Sequence, residues 1–112
     1  MESISWSDFE KIKLRVGTVI KVDDFPQARN PSYILHVDFG KEFGIKKSSA
    51  QITVHYTKEE LLNKQVVAVV NFPPKQIGPI MSECLVTGFY DDDGSVILAV
   101  PDKPIKNGAI FG

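Results

Sequence analysis

The chain has 112 residues and a mass of 12.5 kDa, the length of one ordinary domain, which leaves no room for two. With 43% hydrophobic and 24% charged residues it is composed like a globular protein, which excludes a disordered tail or a low-complexity linker. Thirteen basic residues against fourteen acidic ones give a net charge of −1, so any attraction for a polyanion must come from a local patch.

Ser7-Asp8-Phe9-Glu10 has the spacing of a capping box and predicts a short N-terminal helical turn, with Trp6 ahead of it as a hydrophobic staple. From Leu14 the apolar period changes to two and predicts a half-buried strand through Val22 and Asp23. Gly17 inside that strand points to a bulge, a sharp bend or a close backbone approach. Phe25-Pro26 ends the strand. Tyr33, Leu35, Val37 and Phe39 alternate with Ile34, His36 and Asp38 in a second strand, which Gly40 stops. The stretch from Ile45 to Thr53 is small and polar, as expected of an edge strand or the floor of a groove. Thr57-Lys58-Glu59-Glu60 is a second capping box and opens a helix of one or two turns through Leu61 and Leu62. Gln65 to Val70 is apolar on both faces and predicts a buried strand. Asn71 to Ile80, with three prolines and Gly78, is expected to be a stiff loop. Ser82 to Tyr90 and Ser95 to Val100 flank an Asp91–Gly94 turn and predict a hairpin. The tail from Pro101 onward is loop-like, with a last short strand at Ala109 to Phe111.

Five or six short strands, with one helix between the third and fourth, predict an all-β domain: a small closed five-stranded barrel of the OB-fold type. One domain spans residues 1–112, with its core over about 9–108.

The residues that carry chemistry are sparse. Cys84 is alone, so metal-binding pairs, redox dithiols and an intrachain disulfide are excluded, and a reducing, cytoplasmic setting is expected. His36 and His55 fall in no ligand spacing. His36 and Asp38 share one strand face, where an exposed polar edge is the expected role rather than a catalytic pair. Gly40-Lys41 lacks the spacing of a phosphate loop. No catalytic residue, metal or cofactor is expected, and the protein is predicted not to be an enzyme. No apolar run approaches the ~20 residues that cross a bilayer, and Met1 to Trp6 has no basic and apolar signal pattern, so no membrane insertion is expected.

What remains is a binding surface. Between Lys41 and Lys75 six lysines stand against three glutamates. Lys46 and Lys47 flank Ser48, Ser49 and Gln51, whose small hydroxyl and amide groups can satisfy a guest's backbone without dictating its sequence. Asn71, Phe72 and Lys75 lie in the proline loop, and Phe25 and Arg29 in the loop after the first strand. Together these residues predict a shallow basic groove for an extended chain, with guest-strand addition to the polar edge as one mode. A structure-specific RNA site on the same face is the competing expectation. It would need aromatic platforms among cations, for which Tyr33, Tyr56, Phe72 and Phe89 are the candidates. Trp6, Phe9, Ile105, Ile110 and Phe111 lie in terminal segments beyond the reach of one small core, and predict a two-fold homodimer contact.

Leu14-Arg15-Val16-Gly17-Thr18-Val19, Val37-Asp38-Phe39-Gly40, Tyr56 with Glu59-Glu60-Leu61, and Asn71-Phe72-Pro73-Pro74 together resemble the tRNA-binding OB-domain family. The resemblance covers roughly Phe9 to Gly108. Three stretches, Phe25 to Pro31, Gly44 to Thr53 and Val69 to Ile77, are similar to its branch of CsaA-type export chaperones. That resemblance implies a five-stranded barrel, a homodimer, binding of unfolded preproteins in the cytoplasm and association with the Sec export motor. Pro73 stands where the tRNA-binding pattern usually has a lysine, and the basic run that follows there is reduced to Lys75, which weakens the phosphate contacts. tRNA remains the alternative partner.

Overall fold

The computed structural model describes all 112 residues. Helix α1, Trp6–Glu10, starts two residues earlier than the Ser7 box predicts. Ser5 is the cap: its hydroxyl accepts from the Asp8 amide at 3.0 Å, and Asp8 accepts from the Ser5 amide at 3.1 Å. These bonds from Ser5 hold the Asp8 carboxyl below its usual range. Trp6 is therefore the first helical residue and not a staple. The earlier start places Phe9 against Trp6 at 5.3 Å and against Phe111 at 6.4 Å between ring centroids.

Strand β1, Leu14–Asp24, is the long element on which the rest is assembled. Its first half pairs with β4, Gln65–Val69, from Leu14↔Val69 to Thr18↔Gln65, and its second half with β2, Tyr33–Asp38. The register shifts between Val19 and Lys21, so the bulge is at Ile20 and not at Gly17. Gly17 serves close approach instead. A Cβ there would stand 2.5 Å from Val37 Cγ1 and 2.8 Å from Phe39 Cδ1. On the edge of β1 opposite β4, the C-terminal segment takes up what β2 leaves free. The Val16 amide donates to Ala109 O at 3.1 Å and the Phe111 amide to Leu14 O at 3.0 Å. The last strand expected at Ala109 to Phe111 is thus a single bridge, Arg15↔Ile110.

Strand β3, Ile45–Ala50, continues the sheet beyond β2. Helix α2, Lys58–Leu61, has the predicted Thr57–Glu60 box and sends Leu61 into the core. The expected proline loop contains a hairpin: β5, Lys75–Ile77, pairs with β6, Ile80–Ser82, across Gly78-Pro79. The predicted run from Ser82 to Tyr90 is divided among β6, β7 (Leu85–Val86) and β8 (Gly88–Tyr90). As expected, β8 pairs with β9, Val96–Leu98, about the acidic turn.

The main sheet runs β3-β2-β1-β4-β7 and curls into a nearly closed five-stranded antiparallel barrel, consistent with an OB-fold. The seam is joined where the Glu83 amide donates to Lys47 O at 2.7 Å. Val19, Leu35, Val37, Phe39, Leu61, Val66 and Ala68 fill the interior with no exposed surface.

Candidate binding face

The loop after β1, the β5–β6 hairpin and β3 adjoin. The loop after β1 touches the β5–β6 hairpin, because a Cβ on Gly78 would lie 3.7 Å from Phe25 Cζ and 3.8 Å from Gln27 O. The hairpin in turn meets β3, where the Ser49 amide donates to Ser82 Oγ at 3.1 Å. Gly78 has φ +53°, which suits the first position of a two-residue hairpin turn and brings Ile77 opposite Ile80.

Several side chains nominated for this face are spent elsewhere. Phe25 is 3% exposed and Ser48 fully buried, so neither offers a surface to a ligand; both are packing residues. Asn71 is exposed, but its amide clasps the segment between α1 and β1, donating to Lys11 O at 2.8 Å and accepting from the Lys13 amide at 3.0 Å. The outward edge of β3 is occupied as well. The Lys47 amide donates to Glu83 Oε1 at 3.0 Å, Lys47 O accepts from Glu83, and the Ser49 amide is held by Ser82. Addition of a guest strand at Lys47–Ser49 would have to break these bonds.

Arg29, Gln51, Phe72 and Lys75 are exposed, and Lys46, Lys47 and Ser49 half-buried. None of the four lysines and arginines in that set belongs to an ion pair; the lysines that do are Lys11, Lys21 and Lys58. The face therefore keeps a local positive charge. Sequence reasoning did not single out Gln76 and Met81, which stand opposite each other on the hairpin, both exposed. The Gln76 amide donates to Gly78 O at 2.6 Å and to Ile80 O at 3.2 Å, so it braces the turn and Met81 is the free side chain of the two. The alternation Gln76-Ile77 and Ile80-Met81 about Gly78-Pro79 was the available signal.

The two histidines act locally. His36 approaches Asp23 Oδ2 at 3.1 Å across the β1–β2 ladder, while Asp38 accepts from the Gly40 amide at 2.8 Å, so His36 and Asp38 form no pair. His55 Nε2 lies 2.7 Å from Ser95 Oγ and 3.8 Å from Asp91 Oδ2, and Ser95 donates to Asp93, whose carboxyl this bond holds below its usual range. That network closes the acidic turn. Cys84 is buried beside β3, and desolvation pushes its thiol up to about 12, against a weaker opposing pull from Lys46. It is a packing thiol, not a nucleophile.

The terminal aromatics gather at a second place. Trp6, Phe9, Ile12, Leu14, Ile110 and Phe111 line one cleft, with Trp6 68% and Ile110 74% exposed. Leu14, Val69 and Leu85 stand in register across three neighbouring strands beside it. Ile105, also exposed, is apart from this cleft, its amide held by Gln65 Oε1 at 3.0 Å.

Residues 14–110 match the family model described as a putative tRNA binding domain. The chain belongs to that family. Among curated relatives, the methionine–tRNA ligase of Pyrococcus horikoshii is 41% identical over 109 residues, which are 97% of this chain and 14% of the ligase. Two solved structures are similar over the whole length. The chaperone CsaA of Bacillus anthracis has a TM-score of 0.93 at 43% identity, covering 99% of this chain and 100% of that one. The CsaA chaperone protein of Picrophilus torridus has a TM-score of 0.92 at 48% identity, covering 98% and 100%. The family's barrel is thus present entire, and the comparison with the ligase concerns a small part of that enzyme. No helix is long and apolar enough to cross a membrane.

Proposed function

We propose that the protein is a cytoplasmic, non-enzymatic chaperone that holds extended segments of unfolded polypeptide, preproteins destined for export among them. The observation that carries this reading is the end-to-end likeness to two CsaA chaperones, at identities far above those of a shared fold alone. The binding face supports it. Exposed Met81, with exposed Phe72 from the start of the same proline loop, supplies apolar contact, Ser49 and Gln51 supply hydrogen bonds indifferent to sequence, and the hairpin is preformed, which limits the ordering cost of binding. Because the edge of β3 is already paired, the guest lies over the hairpin and its side chains rather than extending the sheet. The Sec export motor is the partner to which this reading would deliver its clients.

The same reading includes a homodimer through the terminal cleft. The accessible surface is 7545 Å² for a 12.5 kDa chain, whereas a folded monomer of this mass averages about 6,200 Å². The excess of about 1,300 Å² per chain, about 2,600 Å² for a pair, falls in the range that obligate homodimers bury. Trp6, Phe9, Ile110 and Phe111 are the residues proposed to meet across the two-fold axis, with Leu85 extending the contact.

A tRNA-binding role on the same face is the second reading, favoured by the family match and by the unpaired cations Arg29, Lys46, Lys47 and Lys75. Suppression of client aggregation by Phe72→Ser with Met81→Ser separates the two. The chaperone reading expects protection to be lost with the fold and any tRNA binding retained. Full protection by the double variant would refute the proposed face.

A further inference from the structure

A second cleft, of about 650 Å³, lies between the Phe39–Phe43 turn and the Lys106–Ile110 segment. Three cations from three separate parts of the chain line it: Arg15 from β1, Lys41 from the turn and Lys106 from the C-terminal segment. Glu42 is the one acidic side chain among its walls. None of the three cations is in an ion pair, so a net double positive charge is left unanswered in a chain whose total charge is −1.

The cleft is built rather than incidental. Arg15 rests over the Phe43 ring at 4.3 Å and donates through one guanidinium nitrogen to Gly108 O at 3.0 Å, which fixes the group and leaves most of its donors free. The two walls are locked to each other through glycines in left-handed conformation. A Cβ on Gly108, at φ +89°, would strike Phe39 O at 2.7 Å, and one on Gly40, at φ +91°, would lie 3.0 Å from Asn107 O. Asn107 is itself pinned by Thr18 at 2.7 Å and Gln65 at 3.2 Å. A fixed guanidinium presents donors to a compact oxyanion with little cost of ordering, and the exposed Lys41 and Lys106 on the walls of the same cleft add to its positive charge.

We propose that this cleft binds a phosphate monoester, a group that carries close to two negative charges near neutral pH. Its source is either a free mononucleotide or the phosphorylated end of an RNA chain. The site is separate from the hairpin face, and it adjoins the terminal cleft, with which it shares Arg15 and Ile110.

The test is amide NMR of the full chain titrated with inorganic phosphate, adenosine monophosphate and adenosine, repeated with the Lys41→Gln/Lys106→Gln variant. Inorganic phosphate and the monophosphate are expected to shift the Gly40, Lys41 and Gly108 amides saturably, and adenosine to leave them in place. The double variant, which touches no structural hydrogen bond, is expected to weaken binding roughly tenfold or more. Short RNAs with and without a 5′-phosphate then identify the source. Preference for the phosphorylated RNA over the free nucleotide marks a chain end, and the reverse marks the nucleotide. Absence of saturable shifts, equal shifts with adenosine, or unchanged affinity in the double variant overturns the proposal.

Discussion

Gly17 lies directly against Phe39: a single methyl at this position of β1 would come within 2.8 Å of the Phe39 ring and 2.5 Å of Val37. Both of those side chains are fully buried, so neither can withdraw into solvent. Gly17→Ala is therefore expected to destabilise the fold by about 1–3 kcal/mol through overpacking. Equilibrium denaturation checks this, and an unchanged midpoint would show that β1 and β2 can separate without cost.

Asn71→Ala is expected to act on stability rather than binding. It removes two hydrogen bonds that fasten Lys11 and Lys13 to the end of β4. The loss should be roughly 1–2 kcal/mol, with faster hydrogen exchange at the Lys13 amide and affinity for unfolded clients unaltered. Reduced client affinity at unchanged stability would return Asn71 to the binding face.

Much of the fold was legible in the sequence because it rests on period and punctuation. The alternation from Leu14, the Tyr33–Phe39 pattern and the Thr57 box all have one physical solution, and the structure adopts it. Where two solutions were available, local signals could not choose. Ser5-Trp6-Ser7-Asp8 and Ser7-Asp8-Phe9-Glu10 both satisfy the capping rule. The aromatic contact of Phe9 with Phe111, over a hundred residues away, accompanies the earlier one. The β5–β6 hairpin was hidden behind its prolines although Gly78-Pro79 stands between two isoleucines. The site was less legible than the fold. Phe25, Ser48 and Asn71 have the right chemistry for a binding face, but their burial or pairing depends on contacts from distant segments that composition does not contain.

The terminal cleft predicts the oligomeric state. Trp6→Ser with Phe111→Ser is expected to convert a dimer at micromolar concentration into a monomer, read by sedimentation velocity. The barrel should persist, because neither residue belongs to the buried core. A wild-type protein that sediments as a monomer contradicts the two-fold contact.

Cys84 predicts a difference in reactivity. With its thiol pushed up to about 12 by burial, it remains protonated at neutral and mildly alkaline pH. Alkylation of the native protein at about pH 8 should be far slower than alkylation in denaturant, where the thiol returns to its ordinary range. Equal rates would mean that the seam between β3 and the Glu83–Cys84 segment opens readily.

The central claim is that the hairpin face is built for polypeptide. Its most direct test is a pair of binding isotherms, one with an unfolded preprotein and one with tRNA, each measured across a range of salt concentration. Apolar contact and backbone hydrogen bonding predict a preprotein affinity that changes little with salt, while any tRNA affinity falls steeply as counterions compete for the phosphates. Preprotein binding that is undetectable at low salt, beside tight and salt-dependent tRNA binding, would contradict the account.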